Sequence, residues 1–130
     1  MRGRWRKLAL TGLATLAVGI AVACGDQGPH SGPGTLTATV VSPNGTEGSA
    51  VLSLFGEGIG EVRALDGAVF SERRGDSVRV VVLADTPGSL RFLVAVDDTT
   101  RPVTASFIQV ADGEDQLRTS LGGYTVEFRP

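Results

Sequence analysis

The chain has 130 residues, of which 12 are basic and 14 acidic, and it contains one cysteine and one histidine, too few for an internal disulfide or a Cys/His zinc site. Residues 1–23 hold four basic and no acidic residues, so the remainder carries eight basic and fourteen acidic residues, a net charge of −6. An acidic chain without a basic stripe is a poor match for nucleic acid, and we predict no nucleic-acid partner.

The N-terminal segment has a basic head followed by an apolar stretch. The head holds its four basic residues within positions 2–7, and the apolar stretch covers residues 8–23. As a helix this stretch would span roughly 24 Å, which is short for a membrane span and typical of a cleavable export signal. The positive charges favour retention of the head on the cytoplasmic side of the membrane.

The apolar stretch ends in Ala21-Val22-Ala23-Cys24. This succession of basic head, apolar stretch, small residues and cysteine resembles the signal peptide and lipobox of bacterial lipoproteins, with Ala21 where that family most often has Leu. The resemblance implies cleavage between Ala23 and Cys24, and attachment of fatty acyl chains such as palmitate through a diacylglyceryl group on the Cys24 thiol. It also implies an exported protein that is lipid-anchored in the cell envelope, on the outer membrane or on the outer face of the cytoplasmic membrane.

Two other interpretations of residues 1–24 stay open at this point. The apolar stretch could act as an uncleaved anchor, or as an ordinary secretory signal that leaves Cys24 as a free thiol. A lone thiol on an exported protein would be an unusual reactive group, which favours lipidation. Two or more acyl chains would hold the protein stably on a membrane, whereas one holds it only marginally.

A flexible linker is predicted to follow Cys24. Residues 25–34 are dense in Gly and Pro and contain no apolar side chain, and their root-mean-square reach is roughly 15–20 Å. The only histidine, His30, lies in this linker, and we assign it no catalytic role. The predicted organisation is a signal peptide at 1–23, lipidated Cys24 and linker at 24–34, and a folded domain at 35–130.

From residue 35 onward the apolar residues alternate with polar ones, which is the period of a half-buried β-strand. Turn residues separate the alternating segments, and Asp85–Gly88 is predicted as the hairpin turn between the two strongest. The predicted strands cover residues 35–40, 50–55, 61–65, 68–71, 77–84, 89–96, 103–110 and 124–128.

No segment has helical periodicity over two or more turns, so an all-β fold is expected. Seven to nine short strands with regularly spaced turns predict an immunoglobulin-like or Greek-key β-sandwich. The stretch Gly88–Val110, with its Ala-Ser-Phe-Ile-Gln-Val ending, resembles the sandwiches of cohesins and carbohydrate-binding modules. That resemblance covers about a fifth of the chain and concerns architecture alone.

Two groups of carboxylates are the candidate metal ligands. They are Asp97 and Asp98 in one predicted loop, and Asp112, Glu114 and Asp115 in another. Calcium takes six to eight oxygen ligands, which loops between strands can supply, but the spacing matches no EF-hand. We therefore expect solvated turn residues, with no metal and no cofactor.

The aromatic residues are sparse. The only tryptophan lies in the predicted signal peptide, and the five phenylalanines fall one to a strand, the distribution expected of a core. Tyr124 follows Leu121-Gly122-Gly123, and two interpretations stay open: a core aromatic, or a corner tyrosine whose hydroxyl bonds back to the backbone.

No catalytic set emerges from these residues. A Ser-His-Asp triad has no histidine outside the linker, a cysteine nucleophile would need Cys24, and Gly56–Gly60 lies among strands and fits a bend better than a phosphate loop. We predict a non-enzymatic lipoprotein whose small β-sandwich is a structural or protein-binding module at the surface or in the periplasm. The alternative is a carbohydrate- or calcium-dependent adhesive module. The expected partners are the membrane, through the lipid, and an unidentified protein.

Overall fold

The computed structural model describes residues 32–130, so the predicted signal peptide, the predicted lipidation site Cys24 and most of the predicted linker lie outside the described residues. The described part of the chain forms eight strands and no helix. None of these residues therefore belongs to a helix long and apolar enough to cross a membrane. The strands are β1 Gly34–Val41, β2 Glu47–Phe55, β3 Ile59–Ala64, β4 Ala68–Arg74, β5 Ser77–Gly88, β6 Arg91–Val96, β7 Thr104–Ala111 and β8 Thr125–Arg129.

The strands form two four-stranded antiparallel sheets, and the predicted β-sandwich is confirmed. The first sheet has the order β3-β6-β1-β8, and the second has the order β4-β5-β2-β7. In an immunoglobulin constant domain the corresponding sheets are ordered A-B-E-D and C-F-G. Strands β2 to β6 occupy the places of B to F, while β7 stands in place of A and β1 in place of G.

The core lies between the two sheets and is built from the alternating apolar positions. Phe92 is completely buried and pairs with Ala38 on β1 and with Ala64 on β3. Small partners on both sides leave space for the one large ring, as close packing requires. The other buried apolar residues of the strands are Leu36, Val40, Ala50, Leu52, Leu54, Ile59, Val62, Val78, Val80, Val82, Val94, Val96, Val110 and Ala111.

The loops divide into two ends of the sandwich. The N-terminal end, where β1 begins at Gly34, holds the connections at residues 56–58, 75–76 and 97–103. The far end holds the connections at residues 42–46, 65–67, 89–90 and 112–124. Gly34 and Ile59 both pair with Val96, which places the start of the domain among the loops of the N-terminal end.

Two sequence-based expectations are wrong. Asp85–Gly88 is not a hairpin turn: β5 continues through Gly88, and β5 and β6 belong to opposite sheets. The phenylalanines are not all in the core either, because Phe70 is 62% exposed and Phe55 is 43% exposed on the outer side of the second sheet. Both errors arise where the chain leaves the regular sheet pattern or where a sheet has a solvent-facing side, which alternation alone does not identify.

Candidate functional site

The two groups of candidate carboxylates lie at opposite ends of the sandwich. Asp97 and Asp98 belong to the β6–β7 loop at the N-terminal end, and Asp112, Glu114 and Asp115 belong to the β7–β8 loop at the far end. The structure therefore does not bring the two groups together. Within the described residues, no cluster of three or more His, Cys, Asp or Glu side chains is placed to hold a metal ion.

Asp98 organises its own loop and the start of the domain. Its Oδ1 accepts hydrogen bonds from the Thr100 hydroxyl (2.6 Å), the Thr100 backbone N–H (2.9 Å) and the Gly32 N–H (3.4 Å). The Thr99 N–H in turn donates to the Gly32 carbonyl. The bonds from Thr100, followed by that from Gly32 and the charge of Arg101, lower the pKa of Asp98. This carboxylate is engaged in capping a turn that fixes the chain's entry into β1.

Asp112 has the same role in the β7–β8 loop. Its Oδ1 accepts hydrogen bonds from the backbone N–H groups of Gln116 (3.0 Å) and Glu114 (2.9 Å), which lower its pKa. Asp115 has a positive φ of 61°, a conformation that aspartate tolerates in turns. The turn folds residues 110–118 into a small hairpin, closed by an isolated bridge between Ala111 and Leu117.

The most distinctive site of the far end is a buried carboxylate that the sequence does not predict. Glu47 is 1% exposed, and its Oε1 accepts hydrogen bonds from Arg118 Nε (3.0 Å) and Nη2 (2.7 Å). Its Oε2 accepts hydrogen bonds from the Ser42 hydroxyl (2.8 Å) and from the Tyr124 hydroxyl. We call Ser42, Asn44, Glu47, Arg118 and Tyr124 the Glu47 clasp, because they join the β1–β2 loop to the β7–β8 loop.

The electrostatics of the clasp favour the ionised pair. Burial alone raises the pKa of Glu47, but the bonds from Arg118, Tyr124 and Ser42 and the charge of Arg118 outweigh it, so the pKa is lowered. The same contact raises the pKa of Arg118. The buried Glu47 carboxylate accepts four hydrogen bonds. A buried ion pair is tolerated when additional hydrogen bonds satisfy its polar atoms in this way.

Tyr124 is a core aromatic, and its hydroxyl does not make the backbone bond of a corner tyrosine. Its ring is buried, 5.6 Å from that of Phe107, as for a core aromatic. Its hydroxyl donates to Glu47 and accepts a hydrogen bond from Asn44 Nδ2 (2.9 Å), so it bonds to side chains rather than back to the backbone. The pairing with Glu47 has no local sequence signal, since the two residues are 77 positions apart.

Two adjoining open clefts flank the clasp at the far end. The larger, of about 520 Å³, lies between the end of β5, the β3–β4 turn and the start of β6. The smaller, of about 360 Å³, is lined by the β1–β2 loop and includes Glu47. Neither lining contains an aromatic side chain or a histidine. In the larger cleft Asp66 is held by Arg91 at 2.6 Å, so this carboxylate already has a charged partner.

The edge strands differ in charge. The four edge strands are β3 and β8 in one sheet and β4 and β7 in the other. Strands β3, β4 and β8 each carry at least one Glu and one Arg, whereas β7, with the sequence TASFIQVA, carries no charged residue. Charged edge strands resist pairing with other chains, so β7 is the least protected of the four.

Part of the β7 edge already pairs with another segment of the chain. The Arg118 N–H donates to the Val110 carbonyl (2.8 Å), and the Asp112 N–H donates to the Gln116 carbonyl (2.9 Å). A register shift between Val51 and Leu52 leaves Ile108 as an extra, bulged residue whose side chain is 42% exposed. Thr104–Phe107 is the stretch of the edge that precedes this bulge, and no strand of the described residues is hydrogen-bonded to its outer side.

The exposed aromatics do not form a shared platform. Phe70 on β4 stands opposite Val81 of β5, and Phe55 on β2 stands opposite Ser77 of β5. These β5 positions are four residues apart, about 13 Å along the strand.

No protein-family model, no curated protein and no solved structure matches this chain.

Proposed function

We propose that this chain is a lipid-anchored, non-enzymatic module of the cell envelope that binds a protein partner by strand addition at the edge of β7. The observation that carries the proposal is the absence of charge along β7, in contrast to the other three edge strands of the described domain. In strand addition an extended partner segment pairs with a sheet edge through main-chain hydrogen bonds. The partner segment would lie along Thr104–Phe107 and cover the Ile108 side chain.

The lipid part of the proposal rests on the sequence of residues 1–24. The signal-like segment and the lipobox-like Ala21–Cys24 would attach the sandwich to the membrane through the Gly/Pro-rich linker. Metabolic labelling with an alkyne fatty acid tests this: the wild type should be labelled, and Cys24→Ser should not. Equal labelling of both proteins would remove the lipid anchor from the proposal.

The adhesive alternative has less support than protein binding. A calcium site built from both acidic groups would need them close together, and they lie at opposite ends of the sandwich. A sugar site would need exposed aromatic rings side by side, and Phe55 and Phe70 are separated along the sheet. The non-enzymatic character remains part of the proposal, supported by the lack of a nucleophile–base pair in the sequence.

A matched pair of serines tests the edge-strand interface. Ser106 on β7 and Ser71 on β4 are both exposed and both lie on edge strands of the same sheet. A photo-crosslinking residue at Ser106 should capture a protein partner in the source organism, and the same residue at Ser71 should not. Thr104→Lys, which adds a charge to the β7 edge, should abolish capture by a crosslinker at Ile108. Equal capture at positions 106 and 71 would contradict the proposed interface.

A further inference from the structure

The β1–β2 loop contains the only asparagine of the chain, Asn44, directly before Gly45. Residues 43–46 are all exposed. Gly45 has a φ of +90°, and a Cβ added there would meet no atom within 4 Å. The peptide nitrogen of Gly45 is therefore not shielded by a side chain of its own, and the turn around it has room to rearrange.

We propose that Asn44 is a site of spontaneous deamidation, with water as the co-reactant. The backbone nitrogen of Gly45 attacks Cγ of Asn44 and loses its proton to solvent. The bond between Cγ and Nδ2 breaks, and the side-chain amide leaves as ammonia. The resulting cyclic imide is opened by water at either carbonyl, which gives aspartate or isoaspartate at position 44.

The two Asp-Gly pairs of the chain provide an internal comparison. Asp66-Gly67 has the same backbone chemistry, but a Cβ at Gly67 would lie 2.0 Å from the Leu83 carbonyl oxygen, and Asp66 is bonded to Arg91. In Asp112-Gly113 the Asp112 carboxylate accepts two backbone hydrogen bonds, and Gly113 lies against Pro87. All three side chains make hydrogen bonds, but only at Gly45 would an added Cβ meet no atom within 4 Å. The free space around Gly45 thus singles out Asn44.

The modification would alter the Glu47 clasp. Asn44 Nδ2 donates to the Tyr124 hydroxyl, whose own proton is donated to Glu47. A carboxylate at position 44 has no proton to donate at neutral pH, so it would face the oxygen of Tyr124 without a bond. It would also add a negative charge beside the buried Glu47. Isoaspartate would in addition lengthen the backbone of the turn.

The experiment is an ageing study of the full chain at mildly alkaline pH, with Asn44→Gln as the control variant. Intact mass and peptide mapping detect conversion of amide to acid, and enzymatic methylation detects isoaspartate. The wild type should gain both signals in the peptide that contains position 44, and Asn44→Gln should gain neither at a comparable rate. Asn44→Asp, which mimics one product, should lower Tm by roughly 4–8 °C, the shift expected for loss of about one hydrogen bond in a domain of this size.

A denatured sample sets the reference rate. If the folded protein keeps its Asn44 amide over a period in which the chain in urea is fully converted, the fold protects the site and the proposal is wrong. Isoaspartate that appears only at Asp66 or Asp112, without a change of intact mass, would also overturn it. Conversion at Asn44 with an unchanged Tm in Asn44→Asp would refute the link to the clasp.

Discussion

The two ends of the sandwich hold their loops in different ways. At the N-terminal end, loops are tied by exposed or partly exposed groups: Asp98, whose side chain is 25% exposed, bonds to its own turn and to Gly32, and Arg101 lies 3.2 Å from Glu57, which is 84% exposed. At the far end, the loops are joined through Glu47, which is buried and bonded to side chains from two other segments. The contrast separates ties made by solvent-accessible groups from a tie made by a buried carboxylate.

This difference has energetic consequences. Exposed ion pairs contribute about 0–1 kcal/mol, because water competes for both partners. A buried pair does not guarantee a gain in stability over apolar residues, but removal of one partner leaves the other desolvated and costly. Substitutions at the far end should therefore cost much more than equivalent substitutions at the N-terminal end.

The largest difference in the free energy of unfolding is expected between Glu47→Ala and Asp98→Ala. Breaking a buried pair costs about 3–5 kcal/mol, and we expect about 3 kcal/mol at Glu47 because Arg118 keeps a side-chain exposure of 26% and can be partly hydrated. Asp98→Ala removes a turn cap and should cost about 1 kcal/mol. Urea unfolding of both variants at neutral pH measures the difference. Equal losses would show that the clasp is no more important than an ordinary turn cap.

A smaller effect on stability is expected at Gly48, where the backbone of the β7–β8 loop packs closely against β2. A Cβ at Gly48 would lie 2.5 Å from the Asp112 carbonyl oxygen, a backbone atom, so Gly48→Ala should cost about 1–3 kcal/mol through overpacking. Gly60→Ala is the control, because its Cβ would meet its nearest neighbour at 3.5 Å. We expect Gly60→Ala to change stability by no more than about 0.5 kcal/mol. A neutral Gly48→Ala would mean that the loop can move away from β2 at little cost.

The same comparison shows how far the fold can be predicted. All eight strands are predicted, and the strongest have alternating positions that mark an inward side, as Val78, Val80 and Val82 do on β5. Strand β4 has no buried residue, so the turn residues on either side of it carry its prediction. Strand ends and sheet membership are less predictable. Nothing local in Asp85–Gly88 distinguishes a hairpin turn from the irregular end of a strand that crosses to the other sheet.

The clasp could not be predicted for a physical reason. Alternation on β2 places Gly48, Ala50 and Leu52 on the inward side and would place Glu47 on the outward side. The register shift between Glu47 and Ser49 breaks that alternation, and Glu47 is buried. Arg118 and Tyr124 lie 71 and 77 residues away from Glu47, and a polar contact at such distances leaves no periodic signal. In contrast, the bonds that Asp98 accepts from Thr100, and those that Asp112 accepts from Glu114 and Gln116, are local, as for turn residues.

Acid should reduce stability more through Glu47, at the far end, than through Asp98, at the N-terminal end. The pKa of Glu47 is lowered from an ordinary value of 4.5, so its contribution to stability is fully present above that value and is lost as the pH falls through the folded-state pKa. Glu47→Gln should therefore flatten the fall in stability between neutral and strongly acidic pH. Asp98→Asn is the control and should flatten it less. Urea midpoints across this range test the order, and a larger effect of Asp98→Asn would reverse it.

The smallest effect on Tm is expected from the addition of calcium. This measurement tests whether either end of the sandwich is a metal site. Calcium at a hundred times its dissociation constant would stabilise a binding fold by about 2.7 kcal/mol and raise Tm by roughly 10 °C or more. We expect almost no shift, because Asp98 and Asp112 already accept hydrogen bonds within their own loops and the two acidic groups lie at opposite ends. Melting curves with calcium and with a chelator should coincide. A calcium-specific rise, absent with magnesium and lost in Asp112→Asn, would make the far end a metal site and favour the adhesive function.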